Sequence, residues 1–454
     1  MHMDAARDAI RRGPQGPAVG AFFDFAGTLV HGFRPRRRSG LLLNGIQAEK
    51  SKAGYDAWLA AALLEWRGHP EAGLMAQGER LFERTIAGHL YPEAWQLVRA
   101  HEAAGHTLVV ASSIFECQVR PAAAALGIPN VLCTPLDARN GRLTGELAGP
   151  ALWRDGKAAA VRAFAQRNDV DLASSYGYSN GGEDVEFLAA VGRPTVVNPD
   201  TVLAERADRK WPVLRFAARD DRHPVRTAAA YGGFAAAVLG GLAGGALRRR
   251  DRRATVDRIL SRAGDFTLGG AGVQVRVTGT DHTRPAVFIF NHQSELDPFV
   301  IAKVLRGGFT GITKKEIADN PWFGPVARFA GAVFIDRADS EKARQALSPV
   351  VDTLRNGTSV IIAPEGTRSL TPSVGPFKKG AFHIAMQAGV PIVPIVIRNA
   401  GELFWKHAKT VRPGVIDVAV LDPIDVSTWR AADLPTHIDE VRATYQRLLR
   451  DWPR

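Results

Sequence analysis

The chain has 454 residues, 46% hydrophobic and 23% charged, with a formal net charge of +12, which supplies enough apolar material for two or three domains and excludes a chain disordered throughout. Two cysteines, Cys117 and Cys133, exclude a disulfide framework and point to a reducing compartment. The positive excess is partly clustered, in RPRRR at 34–38 and RRRDRR at 248–253, and points to an acidic partner: anionic lipid, phosphorylated substrate or nucleic acid.

Residues 1–17, MHMDAARDAIRRGPQGP, have no apolar core, so they read as a flexible N-terminus and not as a signal peptide. An apolar run at 18–23 then stops at Asp24, with Gly27 close behind, and a helical region follows over about 51–100. HTLVVASS at 106–113 reads as a buried strand and ECQVRPAAAALG at 116–127 as a helix. LASSYGYSNGGEDVEFLAAVGRPTVVNPD, at 172–200, reads as strand, loop, helix, strand. Strands alternating with helices predict a parallel sheet with its functional groups at the strands' carboxyl ends.

Residues 227–247, TAAAYGGFAAAVLGGLAGGAL, are 21 uncharged residues between Arg226 and Arg248. As a helix they would span about 30 Å, the thickness of a bilayer's hydrocarbon core. Gly232, Ala236, Gly240 and Gly244 recur every fourth residue, which predicts a close-packing stripe. A simple span would put the flanking domains on opposite sides of the bilayer, and basic residues flank both ends. The expectation for 221–253 is therefore a membrane-associated helix, or bent helical pair, dipping into one leaflet. From 254 onward a second α/β pattern begins. Its strands are PAVFIF, GAVFID, TSVIIAPE and VPIVPIVI, its helices DPFVIAKVL, SEKARQALSPVVDTLRN and KGAFHIAMQAG, and an amphipathic helix closes it.

The second pattern carries a concentration of chemistry. In VFIFNHQSELDPFV, at 287–300, a strand ends at Asn291, and His292 and Asp297 follow five residues apart. A carboxylate beside an imidazole fixes its tautomer and stabilises the imidazolium formed when it takes a proton. Lys314, Lys315 and Arg337 surround a Pro/Gly/aromatic segment, PEGTRS supplies Glu365, Gly366, Thr367 and Arg368, and PFKKGAF supplies Lys378 and Lys379. Cations at the ends of buried strands suit a phosphate, above all a guanidinium with its bidentate fork. Taken singly, each motif reads equally well as a capped strand end with a solvated cation.

Together, NHQSELD, KKE…PWFG…GAVFIDR, PEGTRS and VPIVPIVI resemble, in order and spacing, the glycerolipid acyltransferases, specifically the 1-acylglycerol-3-phosphate acyltransferases. The resemblance runs from about 254 to the end of the chain. It implies that His292 deprotonates the sn-2 hydroxyl of a 1-acylglycerol-3-phosphate, that Asp297 orients it, and that the product is phosphatidate. Acyl-CoA or acyl-carrier protein would be the donor. Arg368, Arg337 and Lys314 or Lys315 would hold the acceptor phosphate, with Glu365, Gly366 and Thr367 completing that site and Lys378 and Lys379 assisting. It implies no cofactor, a lysophospholipid as partner, and work at an anionic membrane surface on the cytoplasmic face. No aromatic-interleaved basic stripe suggests nucleic acid.

The first pattern resembles the haloacid dehalogenase-like phosphatases of the phosphoserine-phosphatase type. FFDFAGTLV matches the first motif, usually D-x-D-G-T; VVASS the second, with Ser112; WRDGKAAAV the third, with Lys157; and GYSNGGEDVEFLAAVGRPTVVNPD the fourth, with Asp184. The resemblance implies a doubly wound domain over 18–220 with a helical cap at about 38–95. Asp24 would be the nucleophile, and Asp24 and Asp184 would hold Mg²⁺ if the domain turns over. Two departures stand out. Ala26 replaces the general acid, and Tyr178 is read at the first carboxylate position of the fourth motif, with Glu183 and Asp184 later. The expectation is a degenerate phosphatase-like domain joined to an acyltransferase; the alternatives are a bifunctional acyltransferase and phosphatase, or an acyltransferase for another lysophospholipid or glycerol-3-phosphate.

Overall fold

The computed structural model describes residues 1–32, 52–206, 210–217, 223–248, 251–279, 283–320, 324–335 and 348–450. The chain divides into two compact units, Met1–Arg219 and Asp220–Arg454.

The first unit is built on a six-stranded sheet. Its strands are β1 (Gly20–Phe23), β2 (Thr107–Phe115), β3 (Asn130–Thr134), β6 (Tyr176–Ser179), β7 (Arg193–Val197) and β8 (Val213–Leu214), in the order β3-β2-β1-β6-β7-β8 with every pairing parallel. An antiparallel hairpin, β4 (Leu136–Arg139) with β5 (Arg142–Leu147), stands apart from it. All four residues of β1 are buried, because helices cover both faces of a parallel sheet. Phe22 packs edge-on to Phe164 on one face, and Phe23 stacks on Tyr178 on the other.

The expectation of a flexible N-terminus at 1–17 is corrected. Met3–Arg12 is a helix, α1, with Ala6 and Ile10 buried four residues apart. Asp4 in its first turn and Arg11 and Arg12 in its last oppose the helix dipole. Its apolar stripe packs on the helix Pro92–Ala103, so a segment this polar still has one face to bury. The cap also needs adjustment. Lys52–Trp66 and Glu71–Arg84 form it together with the β4–β5 hairpin, whereas Pro92–Ala103 packs on β2; 38–51 lie outside the described residues. Tyr55 and Trp58 dock the first cap helix, Tyr55 donating to the Ser113 carbonyl at 3.1 Å and Trp58 packing 4.7 Å from the Phe115 ring.

The second unit holds a seven-stranded mixed sheet, made of β9 (Val273–Thr278), β10 (Val287–Phe290), β11 (Phe309–Lys314), β12 (Val333–Ile335), β13 (Ser359–Ile362), β14 (Ile392–Ile397) and β15 (Gly414–Val420) in the order β12-β11-β13-β10-β14-β15-β9. β10, β11, β13 and β14 run parallel and β15 antiparallel to β14. β10 feeds two cores: Phe288 and Phe290 pack with Val300, Ile301 and Leu305, while Val287 and Ile289 pack with Phe382, Ile438 and Tyr445. Period-two alternation with apolar residues on both sides explains the unbroken apolar run.

The uncharged segment is the helix Pro224–Leu247. It packs antiparallel on Arg252–Ala271, whose N-terminus Asp251 caps by accepting from Ala254 N at 2.7 Å. The expected glycine stripe is shifted by one residue. Gly232 and Gly244 face open space, whereas a Cβ on Gly233, Gly241 or Gly245 would run into Phe266, Ile259 or Thr255. The buried line is Ala230, Phe234, Ala237, Gly241 and Gly245. Both sets of small residues recur every fourth position, so the spacing does not choose between them and the partner helix does; the step of three from Phe234 to Ala237 keeps the buried line on one face. This helix is long and apolar enough to cross a membrane, with mean hydropathy 1.4, and 28% of that stretch is buried. Val225, Tyr231, Leu239, Leu242 and Leu247 point outward.

Candidate active sites

In the second unit the parallel strands bring separate motifs to one edge. β10 ends at Phe290, and Asn291 pins that end to its neighbour, donating to Ile397 O and accepting from Ile397 N, each at 2.7 Å. His292 follows. Its Nδ1 donates to Asp297 Oδ2 at 2.8 Å, and the same oxygen accepts from Gln293 N and Ser294 N at 2.8 Å. Asp297 opens the helix Asp297–Leu305, where a carboxylate suits the free N–H groups. The Asp297 side chain is wholly buried and that of His292 is 23% exposed. Because a carboxylate only accepts, Nδ1 carries the proton and Nε2 is left as the basic nitrogen.

Glu365 is a tie for the loop after β13. Oε1 accepts from His292 N at 2.8 Å, and Oε2 accepts from Ser369 Oγ at 2.6 Å and Gly375 N at 2.8 Å. Burial pushes its carboxyl above the usual range, against those three donors. A carboxylate repels phosphate, so of the residues expected at the phosphate Glu365 acts by holding the loop onto the His292 turn. Glu365→Gln puts an amide N–H₂ where two donors converge. It is expected to cost about 1–3 kcal/mol, read as a lowered melting temperature together with lost activity. Gly366 has φ of +74°, and Lys378 lies directly over it, 3.0 Å from where a Cβ would stand. Thr367 is exposed. Arg368 donates to Glu295 Oε1 at 2.7 Å. Lys314 ends β11 and Lys315, exposed, follows it, two strands from β10 on the same carboxyl edge. Arg337 lies outside the described residues.

Three contributors escaped the sequence reading. Asn291 looked like a strand stop, and Glu295 sits inside the His–Asp turn without standing out from it. Arg252 belongs to a basic cluster, yet it donates at 3.1 Å to the carbonyls of both Arg328 and Phe329, closing the helix Gly324–Phe329.

In the first unit Asp24 follows β1. Lys157, from the helix Asp155–Arg167, donates at 2.8 Å to both Asp24 Oδ1 and Asp184 Oδ2. Ser179 Oγ adds a 2.6 Å bond to Asp184, and Thr28 Oγ1 one of 3.3 Å to Asp24. Ser112 is buried on β2, one residue beyond the level of Asp24. Burial raises the Asp24 carboxyl to about 6, against the pull of Lys157, and raises Glu183 to about 7. Mg²⁺ needs near-octahedral oxygen donors. Here one ammonium already spans the two carboxylates, and among the described residues no group of three or more His, Cys, Asp or Glu converges for a metal. The set does not fit the ion as it stands.

The reading of Tyr178 as the first position of the fourth motif is corrected. Tyr178 pairs in register with Phe23 and stacks on its ring at 5.1 Å, so its side chain leaves the face that Asp24 serves. Asn180 stands there instead, its Oδ1 3.5 Å from Thr28 Oγ1 and its amide crowding Gly27. The position still lacks a carboxylate.

Behind the sheet runs a buried polar chain. His106 Nε2 donates to the Pro14 carbonyl at 2.8 Å, so His106 Nδ1 accepts from His101 Nδ1 at 2.7 Å and His101 Nε2 accepts from the Tyr178 hydroxyl at 2.8 Å. Both imidazoles are neutral, and burial holds both below their ordinary 6.5. The unfolded chain therefore binds more protons as pH falls, and stability present above about 6.5 is lost below it. Acid melts of the native protein and of His101→Gln should show a shallower slope in the variant.

Residues 274–398 match the acyltransferase family model, and residues 21–189 match that of the haloacid dehalogenase-like hydrolases. The chain is thus an α/β protein carrying an N-terminal haloacid dehalogenase-like domain and a C-terminal acyltransferase domain. Among curated proteins it is similar to the 1-acyl-sn-glycerol-3-phosphate acyltransferase alpha of Homo sapiens, 36% identical over 184 residues, covering 40% of this chain and 65% of that one. It is also similar to the 1-acyl-sn-glycerol-3-phosphate acyltransferase of Limnanthes douglasii, 32% identical over 180 residues, covering 39% and 64%. The chain spans a little under two thirds of the length of these relatives. Among solved structures, the 1-acyl-sn-glycerophosphate (LPA) acyltransferase PlsC from Thermotoga maritima aligns with a TM-score of 0.44 and 26% identity, over 52% of this chain and all of that one. A phospho-aspartyl intermediate analogue of phosphoserine phosphatase aligns with a TM-score of 0.32 and 17% identity, over 43% and 92%.

Proposed function

We propose that the second unit transfers an acyl group from acyl-CoA or acyl-carrier protein to the sn-2 hydroxyl of 1-acylglycerol-3-phosphate, giving phosphatidate. The His292–Asp297 pair carries the reading: a part-exposed imidazole with its Nδ1 proton committed to a buried carboxylate and its Nε2 available, beside Arg368. Nε2 takes the hydroxyl proton as the oxygen attacks the thioester carbonyl. As the tetrahedral intermediate collapses, the imidazolium returns the proton to the departing thiolate. Every proton has a place on His292, so the transfer needs no cofactor. Arg368, with Lys315, Lys378 and Lys379, faces the acceptor phosphate; the motif resemblance assigns Lys314 and Arg337 to the same role. The test is acyl transfer with lysophosphatidate, glycerol-3-phosphate and other lysophospholipids side by side. Preference for an acceptor without phosphate would overturn it.

The outward apolar residues of Pro224–Leu247 and the adjoining cations support a reading in which the protein works at an anionic membrane surface on the cytoplasmic face, with the acceptor's apolar tail in the bilayer. Leu239→Glu with Leu242→Glu keeps the buried glycine line and is expected to move the protein from the floating to the soluble fraction in a vesicle flotation assay.

The first unit retains the phosphatase architecture without its turnover. Ala26 cannot protonate a leaving alkoxide, a contribution typically worth 10²–10⁴-fold, and Asn180 stands where a carboxylate would complete a cation site. Phosphatase activity on phosphoserine or phosphatidate should be near background. Ala26→Asp alone should restore little; Ala26→Asp with Asn180→Asp should restore more, with dependence on Mg²⁺ and loss on Asp24→Asn. Robust native turnover that Asp24→Asn removes would instead make the chain bifunctional.

A further inference from the structure

The Arg368 guanidinium is already engaged. Its Nη1 donates to Glu295 Oε1 at 2.7 Å, with the Arg368 side chain 21% exposed and that of Glu295 50% exposed. Glu295 belongs to the turn between His292 and Asp297, while Arg368 comes from the loop that Glu365 ties to the same turn. The ion pair therefore bridges the two segments that carry the base and the anion-binding cation. Among the described residues Glu295 makes no other hydrogen bond; burial, and then the Glu295 charge, disfavour the phenolate of Tyr231 in Pro224–Leu247. A pair this exposed contributes little to stability. Its geometry instead suits a contact made to be exchanged.

We propose that Glu295 is a placeholder for the acceptor phosphate on Arg368, and that by competing for the guanidinium it selects phosphomonoester acceptors over phosphodiester ones. This rests on the reading of Arg368 as a phosphate ligand. A phosphomonoester carries about −1.5 to −2 charges at pH 7 and three acceptor oxygens, and the planar fork accepts two of them at once. A carboxylate offers one charge and here makes one bond. The dianion therefore displaces Glu295. A phosphodiester lysolipid, with a single charge and two free oxygens, meets a competitor of equal charge held within the same turn.

The test is steady-state acyl transfer by the full chain in vesicles, with lysophosphatidate and lysophosphatidylglycerol as acceptors. Glu295→Gln and Glu295→Ala should each lower the KM for lysophosphatidate about two- to fivefold, the competition an exposed pair can exert, with kcat moving less than KM. Relative use of lysophosphatidylglycerol should rise. Both differences should shrink at roughly 0.5 M salt, where exposed charges are screened. In an Arg368→Ala background, Glu295→Gln should no longer lower KM. A KM that rises in both Glu295 variants, or a kcat that falls with KM unchanged, would make Glu295 a support of the turn and overturn the proposal. If Arg368→Ala leaves the lysophosphatidate KM unchanged, the phosphate reading itself fails. If Arg368→Ala raises KM but neither Glu295 variant lowers it, only the placeholder fails.

Discussion

His292→Ala is expected to abolish acyl transfer, by about 10²–10⁴-fold or more, while leaving the melting temperature nearly unchanged. The two halves of that result have separate origins. At the β10 end the part-exposed imidazole keeps a basic nitrogen free of the buried carboxylate behind it. The contact that joins His292 to Glu365 uses its backbone N–H, which alanine keeps. Retention of more than a few per cent of activity would remove His292 from the role of base. Asp297→Asn should be less severe. Asp297 Oδ1 has no hydrogen-bond partner among the described residues, so an amide nitrogen can occupy that side while the oxygen still accepts the three N–H groups. The tautomer survives, but the imidazolium loses its counter-charge.

Arg368→Ala is expected to raise the KM for lysophosphatidate tenfold or more and to move kcat less. A charge-assisted contact to a phosphate is worth about 1.5–3 kcal/mol, and a contact made equally in ground and transition states appears in KM. Among the described residues the side chain makes one hydrogen bond, to a half-exposed carboxylate, so folding loses little with it. A change confined to the KM of the acyl donor would show that the guanidinium serves the other substrate.

The sequence order of motifs was enough to place both domains, and the reason is physical. Motifs at strand ends keep their spacing because parallel β10, β13 and β11 deliver His292, Glu365 to Arg368 and Lys315 to one edge. Side-chain direction was harder to read. Tyr178 and Asn180 are two residues apart at the end of a short strand, and only the pairing of Tyr178 with Phe23 shows that the strand has ended before Asn180 turns toward Asp24. The glycine stripe failed in a similar way, since two interleaved sets of small residues satisfy the spacing and only the partner helix chooses between them. The N-terminal helix was illegible because a stripe of Ala6 and Ile10 is too sparse to announce itself without the surface it covers. Glu295 and Arg368 are 73 residues apart, and no local pattern links them.

The short strand ahead of His292 has a practical consequence for anyone diversifying this protein. Val287, Phe288 and Ile289 are wholly buried, Phe290 is 6% exposed, and alternate residues serve opposite cores. A randomised library there would be dominated by dead clones that say nothing about substrate choice. Glu295, in the turn that follows the strand, and Thr367 and Lys378, in the segment after β13, answer to solvent on at least one side. Variation concentrated on those three would sample acceptor preference while the folded frame stays constant.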